Sequence, residues 1–380
     1  MPVFRHDDFP HQMLREIYEQ PAAIERTTAL YLSNGGLKPE LAEKLAKWSN
    51  PAGEILIVAS GSSRHSGLAA EMMLEDLCGL AVDVEYSSEY SCRGSQTLTG
   101  LALRHPSVLV LSQSGETSDT LASLNAAHAH GQRTLAITNA PESTMARTAD
   151  ISMPLAAGKE LSIPATKSFC CQLVVLYLLT LYEGAQVGQI TPEALRKHIA
   201  DLEKMPALIE KQLDGWRASI ATLAAKYKNA ASFLFLGRGV HYAIAREGAL
   251  KLKEASYVHA EGYPTGELKH GPNALVSDSV PLVIIATVDR SDADSVVRYE
   301  KTLQLLRDMK KQGSKVIALA NTGDEEVRAL VNDFVAIEPA SEHLLPIAEI
   351  VPLQLFSYFM ALEHGVDVDR PRNLTKAVIE

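Results

Sequence analysis

The chain has 380 residues, 46% of them apolar and 22% charged, and carries a net charge of −10 at neutral pH. That length suits about two domains of roughly 100–200 residues each, and the composition excludes global disorder. The acidic balance excludes a general pull toward nucleic acid or an anionic membrane surface.

In chain order, residues 1–30 are expected to form an N-terminal helical segment, and Met1–Asp8 lack the apolar stretch of a signal peptide. Glu54–Ala59 reads as a buried strand, Ser60–Ser63 as a turn, and Gly67–Leu77 as a helix. Val108–Leu111 is a second strand, running into the polar turn Ser112-Gln113-Ser114-Gly115 and a helix from Thr117. Thr134–Ile137 is a third strand, ending at Thr138-Asn139. The apolar run Leu173–Tyr182 is about half the length of a bilayer span, so it predicts a buried helix and no membrane partner. Four cysteines, Cys78, Cys92, Cys170 and Cys171, form no C-x-x-C pair and are expected to be free, buried thiols of a reducing cytosol.

The second half repeats the order. Phe233–Leu236 leads into Gly237-Arg238-Gly239, Leu282–Ile285 into a polar turn, and Val316–Leu319 into Ala320-Asn321. Matching strands lie about 175–185 residues apart, a domain-sized period. Continuous apolar strands separated by helices predict parallel sheets covered on both faces. The fold class is therefore α/β, with two doubly wound parallel-sheet domains in tandem, at residues 31–190 and 226–365. A helical linker at 191–225 joins them and a tail follows at 366–380.

Ligands of open parallel sheets bind beyond the carboxyl ends of strands. Two such ends carry hydroxyl-rich turns, at Ser60–Ser63 and Ser112–Thr117. Glycine permits close backbone approach, and hydroxyls and helix N-terminal N–H groups suit a phosphate. Plain helix capping is the competing reading for either turn alone. A nucleotide-triphosphate loop of the form G-x-x-x-x-G-K-[ST] is missing, and Gly237-Arg238-Gly239 lacks the full dinucleotide fingerprint.

Glu247, Lys251 and Glu254 share one stripe of a helix read at Arg246–Val258, a pattern equally suited to a solvated, ion-paired face. His259, Glu261, Glu267, Lys269 and His270 then crowd into a Gly/Pro-bearing loop. Dense acid–base groups on a loop point to catalysis. The basic C-terminal stretch Arg370–Lys376 reads, taken by itself, as a frayed tail.

These stretches resemble the sugar isomerase (SIS) domain family. They are more closely similar to the isomerase half of glutamine:fructose-6-phosphate aminotransferases. The resemblance is carried by Glu16–Pro21, Ser112–Thr117, Gly248–Glu254, Glu267–Pro272 and Val366–Lys376. It implies that Ser62, Ser63, Ser112, Gln113, Ser114 and Thr117 line a sugar-phosphate cradle and that Glu160 lies in the active site. It implies further that Glu254 shuttles a proton between C1 and C2 with Lys251 beside it. His270 would open the sugar ring from a neighbouring subunit, and Lys376 would form a Schiff base with the ketose. No metal or organic cofactor is implied.

Two departures stand out. Residue 2 is proline and no cysteine precedes Cys78, so release of ammonia from glutamine by an N-terminal cysteine is not expected. Ile163-Pro164-Ala165-Thr166-Lys167 carries Ala165 where the family has a sugar-contacting serine. The resemblance then implies a cytoplasmic homodimer with a shared active site that deaminates glucosamine 6-phosphate to fructose 6-phosphate and ammonia. The alternatives are a deglycase or deaminase for another amino-sugar phosphate, of fructosamine or galactosamine type, and a non-catalytic sugar-phosphate sensor.

Overall fold

A computed structural model describes residues 9–49 and 54–378; Met1–Asp8 of the N-terminal segment lie outside the described residues. The two-residue strands β1 (Leu32–Ser33) and β2 (Gly36–Leu37) form a small hairpin. The first repeat then contributes β3 (Ile55–Ala59), β4 (Val82–Tyr86), β5 (Ser107–Leu111), β6 (Arg133–Thr138) and β7 (Ile151–Pro154). They form one sheet in the order β4-β3-β5-β6-β7, every pair parallel.

The second repeat contributes β8 (Ser232–Gly237), β9 (His259–Pro264), β10 (Leu282–Ile285), β11 (Val316–Asn321) and β12 (Asp333–Ile337). Their order, β9-β8-β10-β11-β12, is again wholly parallel and is the same topology as the first sheet. All residues of β3, β5, β10 and β11 are buried, as strands covered on both faces by helices must be. In both sheets the order reverses beside the first strand, which places the switch-point crevice beyond β3 and β5, and beyond β8 and β10.

Close packing of helix on sheet fixes one glycine. A Cβ at Gly67 would lie 2.9 Å from Ile57 Cγ2, so the helix Gly61–Cys78 meets β3 closely only because residue 67 has no side chain.

The chain forms two compact units that do not follow chain order. One holds the first repeat, with residues 22–160, 167–204 and 375–378; the other holds the second repeat, with residues 9–21, 161–166 and 205–374. The single helix Pro192–Tyr227 contributes to both.

Several expectations need correction. Ser60–Ser63 is not a free turn, because the helix begins at Gly61 and puts Ser62 and Ser63 on its first turn. His259 and Glu261 lie on strand β9 rather than in a loop, and the helix before them runs Val240–Ser256. Cys92 is exposed, whereas Cys78, Cys170 and Cys171 are buried; all four thiols are free. The run Leu173–Tyr182 belongs to a longer apolar helix, Lys167–Gln186. That helix and Leu345–Glu363 are each long and apolar enough to span a bilayer, but both are buried inside the protein.

Candidate active site

In the first-repeat unit, the loop after β5 is built around one hydroxyl. Ser112 Oγ accepts the Gly115 N–H at 3.1 Å and lies 2.9 Å from Thr117 Oγ1 and 3.4 Å from Ser114 Oγ. Ser114 Oγ accepts the Glu116 N–H at 3.2 Å. Gly115 has φ +65°, and a Cβ there would lie 2.0 Å from Ser143 Oγ, so both its conformation and its surroundings require glycine.

Neither hydroxyl-rich segment caps its helix. Ser60 and Thr117 occupy the N-cap positions, yet neither side chain makes a capping bond. Thr117 turns instead toward Ser112. The capping role is therefore not filled, and these hydroxyls lie at the ends of β3 and β5, beside two helix N-termini that favour negative charge.

Ser63 is buried, and its Oγ accepts from Gln172 Nε2 at 2.9 Å. Ser66 shares its one hydroxyl hydrogen between the Ser63 carbonyl at 2.7 Å and Gln172 Oε1 at 3.0 Å. Ser63 thus keeps its own hydroxyl hydrogen for another acceptor. Gln172 was not anticipated; it sits on the buried helix Lys167–Gln186, and no local motif marks it. Ser62 and Gln113 are half-buried, and the Gln113 carbonyl is tied to the Asn139 N–H at 3.1 Å.

Glu160 is buried and lies against the start of the helix Lys167–Gln186. Its carboxylate accepts the Ser168 N–H at 3.0 Å and the Ser168 hydroxyl at 2.8 Å. Lys376 Nζ donates to Glu160 Oε2 at 2.6 Å. The tail is therefore not frayed here. The Val378 carbonyl accepts the Ser118 N–H at 3.1 Å, at the start of the helix that follows the hydroxyl loop.

In the second-repeat unit, the Glu247, Lys251 and Glu254 stripe is not a solvated face. Glu247 and Lys251 are fully buried, and only Glu254 is partly exposed, with its side chain 22% accessible. Lys251 Nζ donates to Glu254 Oε2 and lies 3.4 Å from Glu247 Oε1. Burial works against the ammonium, but the two carboxylates outweigh it and hold the Lys251 pKa above the ordinary lysine range. A partly exposed carboxylate beside a buried cation is suited to accept and return a proton while the cation steadies negative charge on the reacting molecule.

His270 is exposed at the end of a 3₁₀ turn, Thr265–His270, which is pinned by the ion pair Lys269–Asp308. Upstream of Lys376, the tail is held by Tyr257. The Arg372 N–H donates to the Tyr257 hydroxyl at 2.6 Å, and the Arg372 guanidinium stacks 4.3 Å from the ring centroid.

In the sequence Glu16 stands out only as part of the stretch Glu16–Pro21. Its fully buried carboxylate accepts the backbone N–H groups of Leu161 and Ser162, which fixes the path of the 161–166 segment that contains Ala165.

Among the described residues, the second repeat has no hydroxyl cradle at its own switch point. His241 fills the place, with Nδ1 2.8 Å from Glu349 Oε1 and Nε2 3.4 Å from Glu342 Oε1, and Arg298 Nε donates to Glu342 Oε1 at 2.9 Å. Burial opposes the imidazolium, but Glu349 and Glu342 push the His241 pKa up to about 10. Burial likewise raises Glu342, but His241 overcomes this and takes it down to about 2.

The SIS domain family model matches residues 50–182 and 226–364, one match for each repeat. The chain is 39% identical over 374 residues to the glutamine–fructose-6-phosphate aminotransferase of Thermus thermophilus, covering 97% of this chain and 59% of that protein. The enzyme of the same name from Methanosarcina acetivorans is 38% identical over 379 residues, with 97% and 58% covered. The chain thus spans under two thirds of the length of these relatives. Among solved structures, the C-terminal domain of glucosamine-fructose-6-phosphate aminotransferase from Francisella tularensis superposes with a TM-score of 0.86 at 33% identity, covering 97% of this chain and all of that one. Glucosamine-6-phosphate deaminase from Thermotoga maritima shares the fold, with a TM-score of 0.67 at 20% identity over 97% and 99% of the two chains. With two matching repeats and near-complete coverage of a solved relative, the chain belongs to the SIS domain family and is homologous to the isomerase half of the glutamine–fructose-6-phosphate aminotransferases.

Proposed function

We propose that the chain deaminates glucosamine 6-phosphate, giving fructose 6-phosphate and ammonia. The observation that carries this reading is the Lys251–Glu254 pair, a buried cation against a partly exposed carboxylate. In the proposed reaction the phosphate is held by Ser63, Ser112, Ser114 and Thr117, with Ser62 and Gln113 at the same strand ends. His270 assists opening of the ring. Glu254 removes the C2 proton of the open aldose, and the electron pair moves to form the C1–C2 enolamine. Lys251 steadies the charge that develops on O1. Glu254 returns the proton to C1 while an amine proton passes to O1, which leaves a neutral imine at C2 and a hydroxyl at C1. Water adds to C2 and ammonia departs, so nitrogen leaves as NH3 and the product is the ketose phosphate.

Glu160 holds Lys376, the amine assigned to a Schiff base with the ketose. The exposure of His270 supports a homodimer in which this residue serves the neighbouring subunit, and the free thiols favour a cytoplasmic setting.

The test is ammonia release from glucosamine 6-phosphate by the purified chain, with Glu254→Gln as control. Ammonia from the parent and none from the variant supports the reading. Release only from a galactosamine or fructosamine phosphate moves the assignment to that substrate. Sugar-phosphate binding without turnover of any of them would make the chain a sensor.

A further inference from the structure

The two repeats correspond strand by strand. Leu135 pairs with Ile151 in the first as Ile317 pairs with Asp333 in the second, so Asn139, Ala157 and Gly158 correspond to Asn321, Pro339 and Ala340. In the first repeat the asparagine is closed off. Asn139 Oδ1 accepts the Ala157 N–H at 3.2 Å, and its Nδ2 donates to the Gly158 carbonyl at 2.8 Å. Pro339 has no N–H and cannot make the matching bond in the second repeat. There Asn321 Oδ1 accepts the Val288 N–H instead, at 2.7 Å.

This exchange leaves an opening. Beyond the carboxyl ends of β10, β11 and β12 lies a cleft of about 570 Å³, whose lining includes Asp289, Arg290, Asn321, Asp324 and Pro339. The size is that of a small-molecule site. Asn321 is only 8% exposed, and its amide orientation is fixed by Val288, so Nδ2 is presented to the cleft without a protein acceptor among the described residues. Asp289 Oδ1 accepts the Ser291 N–H at 2.8 Å and its hydroxyl at 2.6 Å, while Oδ2 has no hydrogen-bond partner among the described residues. A fixed donor and a free carboxylate oxygen therefore stand at the ends of adjacent strands.

The charge excludes a phosphate. Asp289, Asp324 and Glu325 line the cleft against the single guanidinium of Arg290, which stacks on Tyr299 at 4.3 Å. The loop's hydroxyls are also committed, Thr287 to Glu349 and Ser291 to Asp289. We propose that this cleft binds an unphosphorylated amino sugar. Its ammonium pairs with Asp289 Oδ2, a ring hydroxyl accepts from Asn321 Nδ2, and the sugar carbons lie against Pro339.

Calorimetric titration of the whole chain with D-glucosamine tests the site, with D-glucose as the probe lacking the ammonium. Saturable binding is expected, at least tenfold weaker for glucose and at least tenfold weaker in Asp289→Asn, which keeps Oδ1 and its Ser291 bonds. Asn321→Ala should weaken it similarly, and Ser114→Ala should leave it unchanged. The proposal is overturned if the parent shows no saturable binding, if glucose binds as tightly, or if Asp289→Asn, with an unchanged thermal midpoint, binds like the parent. Loss of binding in Ser114→Ala would place the ligand in the first repeat and also overturn it. Because the titration uses a sugar without phosphate, its failure is separate from failure of the ammonia assay.

Discussion

Lys376 and Glu160, 216 residues apart in sequence, are joined by an ion pair of 2.6 Å. Imine formation uses a free amine nitrogen, so at Lys376 it requires the contact with Glu160 to open. Lys376→Arg keeps the charge and cannot form an imine. Borohydride reduction in the presence of fructose 6-phosphate should give a covalent mass adduct in the parent and none in this variant. An adduct of undiminished yield in Lys376→Arg would place the reactive amine elsewhere.

Proton transfer is tested at Glu254. Positioned acid–base catalysis is worth about 10²–10⁴-fold, and Glu254→Gln should lower kcat by that factor with little change in KM. Exchange of the C2 hydrogen with solvent deuterium should stop. Exchange at the parental rate would remove Glu254 from the mechanism.

The neighbouring lysine answers a stability question. Lys251→Met strips the cation from Glu247, which is fully buried. Breaking a buried pair by removing one partner costs about 3–5 kcal/mol. Chemical denaturation should show that loss, and Glu247→Gln combined with Lys251→Met should recover part of it. A double variant no more stable than the single one would mean that the pairing with Glu247 contributes little.

The cradle makes two separable predictions. A hydrogen bond to a charged phosphate is worth roughly 1.5–3 kcal/mol, so Ser114→Ala should raise KM about tenfold or more at unchanged stability. Gly115→Ala would drive a Cβ into Ser143 and Thr138 at positive φ, so it should lose both substrate binding and thermal stability. Normal KM values in both variants would return these hydroxyls to a purely local role.

The His241 cluster sets a pH window for stability. The His241 pKa is raised from 6.5 to about 10, so its contribution is full below 6.5 and lost as pH rises through 10. The Glu342 pKa is lowered from 4.5 to about 2, so its contribution is full above 4.5 and lost as pH falls through 2. Thermal midpoints should therefore peak between about pH 4.5 and 6.5 and decline on either side. His241→Gln should flatten the alkaline limb, and an unchanged limb would count against the cluster as its source.

The strands that sequence reasoning found and those it missed divide by position. Every interior strand of the two five-stranded sheets, β3, β5, β6, β8, β10 and β11, was legible as an unbroken apolar run. The four edge strands β4, β7, β9 and β12 were not. Val82–Tyr86, for example, alternates valine with acidic residues, because an edge strand is only partly covered. The same blindness hid long-range partners. Gln172 behind Ser63, and Glu16 behind Leu161, are ordinary polar residues on helices until the fold brings their partners to them. The hydroxyl loop and the Lys251–Glu254 spacing were readable because both are local.

The passage of the backbone between the compact units has a consequence for biosynthesis. Residues 9–21 leave the ribosome long before the second repeat with which they pack, and residues 375–378 are made after the second repeat although they pack with the first. The second-repeat unit cannot be completed before residue 374 is made, nor the first-repeat unit before residues 375–378 follow it. A nascent chain stalled before Thr375 would hold a nearly complete first repeat without Lys376. Cutting the gene between the repeats would strand each half without pieces of itself.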